Sequence, residues 1–114
     1  MIQINNQIAG CAIATLVPEN RRLMITNESA IKMKIYEVID QHNYLNIIID
    51  MKCIDIIDST GLGSLISICN HGRNNNCKVK FCNLNESVAK VITISQLDQV
   101  LDINTSLETA IATL

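Results

Sequence analysis

Hydrophobic positions change their spacing along the chain, and those changes predict its elements. Ile2 and Ile4 alternate with polar neighbours, and Ala12-Ile13-Ala14-Thr15-Leu16-Val17 forms a second extended run. Pro18-Glu19-Asn20 interrupts it, and Arg22-Leu23-Met24-Ile25-Thr26 then reads as its hairpin partner. Ile31, Ile35, Val38 and Ile39 recur at helical spacing behind a Thr26 or Asn27 cap, and His42-Asn43 ends that helix. Asn46–Met51 is nearly continuous and β-branched, the pattern of a strand covered on both faces. Leu62, Leu65, Ile66 and Cys69 predict a second helix, with Gly72 suited to its C-cap. Lys78–Cys82 alternates as a strand, with Lys78 and Lys80 expected on an outer face near a sheet edge. Asn83 or Asn85 can cap a helix carrying Val88, Val91 and Ile92, and Val100–Ile103 suggests a small strand. Thr105-x-x-Glu108 reads as a capping box that opens a last helix through Ala110, Ile111 and Leu114.

Alternating β and α segments imply parallel strands joined by right-handed crossovers. The expectation is one α/β domain over residues 1–114. Its mixed, mostly parallel sheet has four to five strands and packs with about four helices.

Composition then removes function classes. The 114 residues are 48% hydrophobic and 18% charged, with a net charge of −2, which is globular rather than disordered. There is no basic stripe, and at 3% aromatics no base-stacking platform, so nucleic acid is not an expected partner. No apolar stretch approaches the ~18 residues of a membrane span, and no basic-then-apolar leader opens the chain. A cytoplasmic location without membrane insertion is expected. Five cysteines, odd in number and irregular in spacing, suit a reducing compartment. Cys53, Cys69 and Cys82 read as small hydrophobes, and Met24, Met33 and Met51 as core filler. Cys69, His71, Cys77 and Cys82 lack the paired knuckle of a structural zinc site, so neither metal nor cofactor is expected.

The informative segment is Asp58-Ser59-Thr60-Gly61-Leu62-Gly63, between a buried strand and a helix. Ser59 falls at the cap or first turn, where unpaired N–H groups and the helix dipole favour negative charge. A phosphoryl group there is tolerated by the fold while adding roughly −1.5 to −2 charges to the surface. Gly61 and Gly63 each cost about 1 kcal/mol against alanine in a helix, which suggests close approach of another backbone or of a partner. A P-loop needs a lysine after the glycine, a dinucleotide fingerprint needs glycine where Ile66 stands, and a nucleophile elbow needs glycine at Ile57. His42 and His71 fall at helix ends, so no Ser-His-Asp arrangement is indicated and no enzyme is expected. From the residues alone, two readings stand equally: a plain Asp/Ser helix cap and a regulatory site.

Strand Ile47–Met51, the loop to Ile57 and the six residues from Asp58 to Gly63 resemble the signature of the STAS domain, more narrowly of bacterial anti-sigma factor antagonists. The resemblance extends from the N-terminal strand pair through a helix from Asn27 to the closing segment Val91–Leu114. It implies a partner-switching protein. The unphosphorylated form binds an anti-sigma factor that is also a serine kinase and releases the sigma factor. Phosphorylation on Ser59 breaks the complex, and a metal-dependent serine phosphatase restores it. The implied contact surface comprises Ile56, Ile57, Ser59, Thr60, Leu62 and the Thr26 region, on a monomer or weak dimer. One departure concerns the family's Gly-x-Leu-Asp before the first helix, where Leu23-Met24-Ile25-Thr26 stands and Thr26 replaces the acid. An alternative is a constitutive STAS subunit of a membrane complex such as a lipid-exporting ABC transporter.

Overall fold

A computed structural model describes residues 2–114. Its central sheet has the order β1-β2-β4-β6-β7, formed by Ile2–Ile8, Cys11–Leu16, Asn46–Asp50, Lys78–Cys82 and Asp102–Asn104. Only β1 runs antiparallel; β2, β4, β6 and β7 pair in parallel. The helices are α1 (Glu28–His42), α2 (Ser59–Asn74), α3 (Glu86–Ile94) and α4 (Leu107–Ala112). The mixed, mostly parallel five-stranded sheet and four helices agree with the expected architecture.

The period-2 pattern of the strands separates two cores. Ala12, Ala14, Ile47, Ile49 and Phe81 face α1, α2 and α3, where Ile31, Ile35, Leu65, Ile68, Val88 and Ile92 cover them. Ile13, Ile48 and Cys82 face the opposite side, which Ala110 of α4 helps to close. β4 is thus buried on both faces, as its β-branched run predicts.

Several expectations are corrected. The hairpin joins β1 to β2 through a turn with Gly10 at φ 74°, a left-handed conformation that glycine adopts without strain. Arg22–Leu23 (β3) pairs instead in parallel with Ile56–Ile57 (β5), far along the sequence. Lys80 is buried, because β7 adds a further strand beside β6; its ammonium donates to Asp102 Oδ2 at 3.0 Å and Thr113 Oγ1 at 2.9 Å. Gly72 is no C-cap: it lies within α2, where a Cβ would meet the Cys77 carbonyl oxygen at 2.6 Å. The last capping box is Ser106 with Thr109, one residue out of step with Thr105 and Glu108. Met33 is exposed, whereas Met51 fills the core as expected.

Candidate functional site

The site lies where β4 ends and α2 begins. Asp50, at the end of β4, is buried and accepts from the Lys52 N–H at 3.0 Å and Asn83 Nδ2 at 3.2 Å, fixing the exit of the loop. Further along, Arg21 Nε reaches Asp55 Oδ2 at 2.7 Å while Asn85 Nδ2 donates to Asp55 Oδ1 at 3.2 Å. The guanidinium beside Asp55 holds that carboxyl below its ordinary value, by hydrogen bonding first. These contacts deliver Ile56 and Ile57 to β3.

Asp58 is the N-cap of α2. Its Oδ1 accepts from the Thr60 hydroxyl at 2.6 Å and the Gly61 N–H at 2.8 Å, and its Oδ2 accepts from the Ile25 N–H at 2.9 Å. The Thr60 hydroxyl, then the Gly61 N–H, pull its pKa below the usual carboxylate value by stabilising the charged form. One carboxylate therefore caps α2 and ties down the segment ahead of α1. Asn27 tightens the same segment, accepting from the Met24 N–H at 2.9 Å and donating to the Arg22 carbonyl at 2.7 Å. The Ser64 hydroxyl, buried one turn into α2, donates to Glu28 at the start of α1.

Ser59 is the first residue of α2 and is exposed; its hydroxyl bonds to no described residue. Thr60 differs, its hydroxyl being committed to Asp58. Ile56 of β5, at 42% exposure, and Ile25, at 70% in the turn after β3, flank Asp58, the residue before Ser59. Thr26 is exposed next to Ile25. Two residues expected on the contact surface are not there: Ile57 and Leu62, at 8% and 9% exposure, fill the core below the site. The glycines also divide. A Cβ on Gly61 would lie 2.3 Å from the Leu23 carbonyl oxygen, so here another backbone does come close, whereas nothing lies within 4 Å of one on Gly63. Sequence reasoning missed Ile25; its place in an apolar run disguised it as a core strand residue. Among the described residues no group of three or more His, Cys, Asp or Glu is placed to hold a metal ion, and no helix is long and apolar enough to cross a membrane.

A family model for the STAS domain matches residues 4–110. The chain belongs to the STAS domain family. Solved STAS structures superpose over nearly all of it. A Thermotoga maritima protein designated an anti-sigma factor antagonist gives a TM-score of 0.84 at 20% identity, covering 98% of this chain and 92% of that one. The unphosphorylated anti-sigma factor antagonist SpoIIAA gives 0.75 at 22% identity, covering 97% and 93%. The murine Slc26a9 anion transporter gives 0.81 at 17% identity; 95% of this chain is covered, but only 18% of the transporter. At these identities the likeness is one of fold.

Proposed function

We propose that this STAS domain is an anti-sigma factor antagonist whose binding is switched off by phosphorylation of Ser59. The observation that carries the reading is the contrast at the start of α2: Ser59 is exposed with an uncommitted hydroxyl, while Thr60 is bound to Asp58. The chain acts in the cytoplasm as ligand and substrate rather than as enzyme. Its unphosphorylated form binds an anti-sigma factor that is also a serine kinase. That kinase, with its own ATP and Mg²⁺, transfers the γ-phosphoryl group to Ser59 Oγ; the hydroxyl proton is lost and ADP leaves. A metal-dependent phosphatase hydrolyses the ester and returns the serine.

The physics of the switch lies in desolvation. The α2 N-terminus partly offsets a phosphate on Ser59, so the free chain accepts it, although the Asp58 carboxylate next door gains nothing from it. In a complex, the same charge is carried into contact with a surface that presents the exposed apolar side chains of Ile25 and Ile56. Burying an unpaired charge costs several kcal/mol, and each 1.4 kcal/mol is tenfold in affinity.

A pull-down from host lysate tests the proposal, with wild type, Ser59→Ala and Ser59→Asp as baits and captured proteins identified by mass spectrometry. Capture of a small serine-kinase ATPase by wild type and Ser59→Ala, and its loss with Ser59→Asp, is expected. Equal capture by all three removes the switch. The fold shared with part of a membrane transporter favours a second reading, a constitutive docking module on a membrane complex. Equal capture of transporter subunits supports that reading and reduces Ser59 to a helix residue.

A further inference from the structure

α2 begins at Ser59 and runs back along the sheet, so its last turn lies at the opposite end, where β6 starts. There a cavity of about 510 Å³ opens between α2, β6 and the lead-in to β7, lined by Cys69, Arg73, Asn76, Lys78, Val79 and Val100 among others. That volume is in the range of small-molecule sites. The space exists because β7 is short: its three residues pair with β6 only from Lys80, opposite Asp102, onward. The Lys78 N–H donates to the Leu45 carbonyl at 2.9 Å on the β4 side. Strand alternation therefore turns the Val79 N–H toward the other edge, where no strand lies beside it.

One wall is apolar and preformed. Gly72 lets α2 lie directly on β6, since a Cβ there would meet Val79 Cγ2 at 2.6 Å. Burial, above all, pushes the Cys69 thiol up to about 11, so it is uncharged at neutral pH and serves as apolar surface beside Val79 and the exposed Val100. The other wall is cationic. Of the nine lysines and arginines, Arg21, Lys32, Lys34, Lys52 and Lys80 stand within 4.0 Å of a carboxylate. Among the described residues, Arg73 and Lys78 are two of the four that do not, and both are exposed. The carboxylate at the rim, Asp102, is already met by Lys80 at 3.0 Å. In a chain of net charge −2, two uncommitted cations thus share one cavity with an open backbone donor.

We infer that this cavity binds a small organic acid, its carboxylate held by Arg73, Lys78 and the Val79 N–H and its compact apolar body laid against Cys69, Val79 and Val100. A neutral molecule would leave both cations unanswered, and an inorganic anion would leave the apolar wall in water. Because α2 already lies fixed on β6 through Gly72, little ordering is required of the protein when a ligand enters. The cavity contains neither Ser59 nor Ile25, so binding there does not depend on the proposed phosphorylation.

Titration of the full chain with naphthoate, followed by proton–nitrogen NMR, tests the site. Saturable shifts are expected at the amides of Arg73, Asn76, Lys78, Val79 and Val100, with a Kd below about 1 mM for a ligand of this size. Naphthylmethanol, with the same body and no charge, should bind at least about tenfold more weakly. Arg73→Gln and Lys78→Gln should each weaken naphthoate about tenfold, the loss of one charge-assisted hydrogen bond, and both sites are exposed enough to leave the fold intact. Arg73→Glu combined with Lys78→Glu should reverse the preference and favour naphthylmethylammonium. No saturable shift up to about 5 mM, or shifts centred on residues outside the cavity, overturns the inference. Equal binding of the acid and the alcohol overturns it too, as does indifference to both glutamine variants. Inorganic phosphate bound as tightly as naphthoate removes the apolar half of the site and with it the proposed ligand class.

Discussion

Replacing Gly61 or Gly63 by alanine adds the same methyl group to the same helix, two residues apart, and opposite outcomes are expected. Alanine is favoured over glycine in a helix interior by about 1 kcal/mol. At Gly63 nothing opposes that gain, because a Cβ there has no neighbour within 4 Å. Gly63→Ala should raise the melting temperature by about 5 °C for a domain of this size. At Gly61 the new carbon would lie 2.3 Å from the Leu23 carbonyl oxygen and 2.7 Å from Ile57 Cγ1. The first obstacle is backbone, and the same carbonyl accepts the Asp58 N–H at 3.3 Å, so it cannot retreat without loosening the α2 cap. Overpacking of this kind costs about 1–3 kcal/mol, enough to cancel or exceed the helix gain. Urea and thermal unfolding followed by circular dichroism measure both variants. A Gly61→Ala chain that gains as much stability as Gly63→Ala would refute the close-approach argument. A Gly63→Ala chain that loses more than about 1 kcal/mol would refute the claim of open space above it.

Binding gives the complementary expectation for Gly63. It sits one turn beyond Ser59 on the exposed face, so Gly63→Ala should weaken capture of the proposed kinase partner while stabilising the free chain; unchanged capture counts against contact there. Asp102→Ala should cost about 1–3 kcal/mol by leaving the buried Lys80 ammonium with Thr113 alone, whereas Lys80→Met should be nearly neutral because the exposed Asp102 returns to water. Denaturant midpoints that reverse this order would contradict the pairing. Asp58 titrates below its ordinary 3.8 in the folded chain, so its contribution is present above that value and lost as pH falls through the lower folded value. Asp58→Asn should therefore flatten the decline in stability measured between about pH 5 and pH 2. Burial pushes the Cys69 and Cys77 thiols up to about 11 and Cys82 up to about 12, and raises Cys11 as well. At pH 8, partly buried Cys53 should be the first thiol to react with a disulfide reagent, and modification mapped first to Cys82 would contradict the packing.

What was legible in the sequence was local. The Asp58 cap and the α2 face depend on residues within a few positions, and the doubly buried β4 announces itself by composition alone. What escaped was set by distant partners. The β3–β5 pairing joins two-residue strands 34 positions apart in register, too short for any periodicity to show. The full length of β1 was masked by Asn5-Asn6-Gln7, polar because an edge strand has an open side. Lys80 reads as a surface residue until β7 closes over it. Ile57 and Leu62 were assigned outward by their proximity to Ser59, but the strand alternation and the helix turn aim both inward. At the site itself, chain position identified Ser59, whereas its uncommitted hydroxyl and the outward Ile25 required coordinates.

The bonds that hold the Met24–Asn27 segment have a consequence for the thermodynamics of recognition. Ile25 is at once the most exposed large apolar residue of the site and closely restrained, its N–H held by Asp58 and its neighbours by Asn27. An apolar side chain on a free loop surrenders backbone entropy when it docks, on the order of 1–2 kcal/mol per residue ordered. Here folding has already met that cost, so a partner has only a rotamer left to fix. Affinity at this surface is then governed by shape and charge, and a single added phosphate meets no slack in the loop through which to escape.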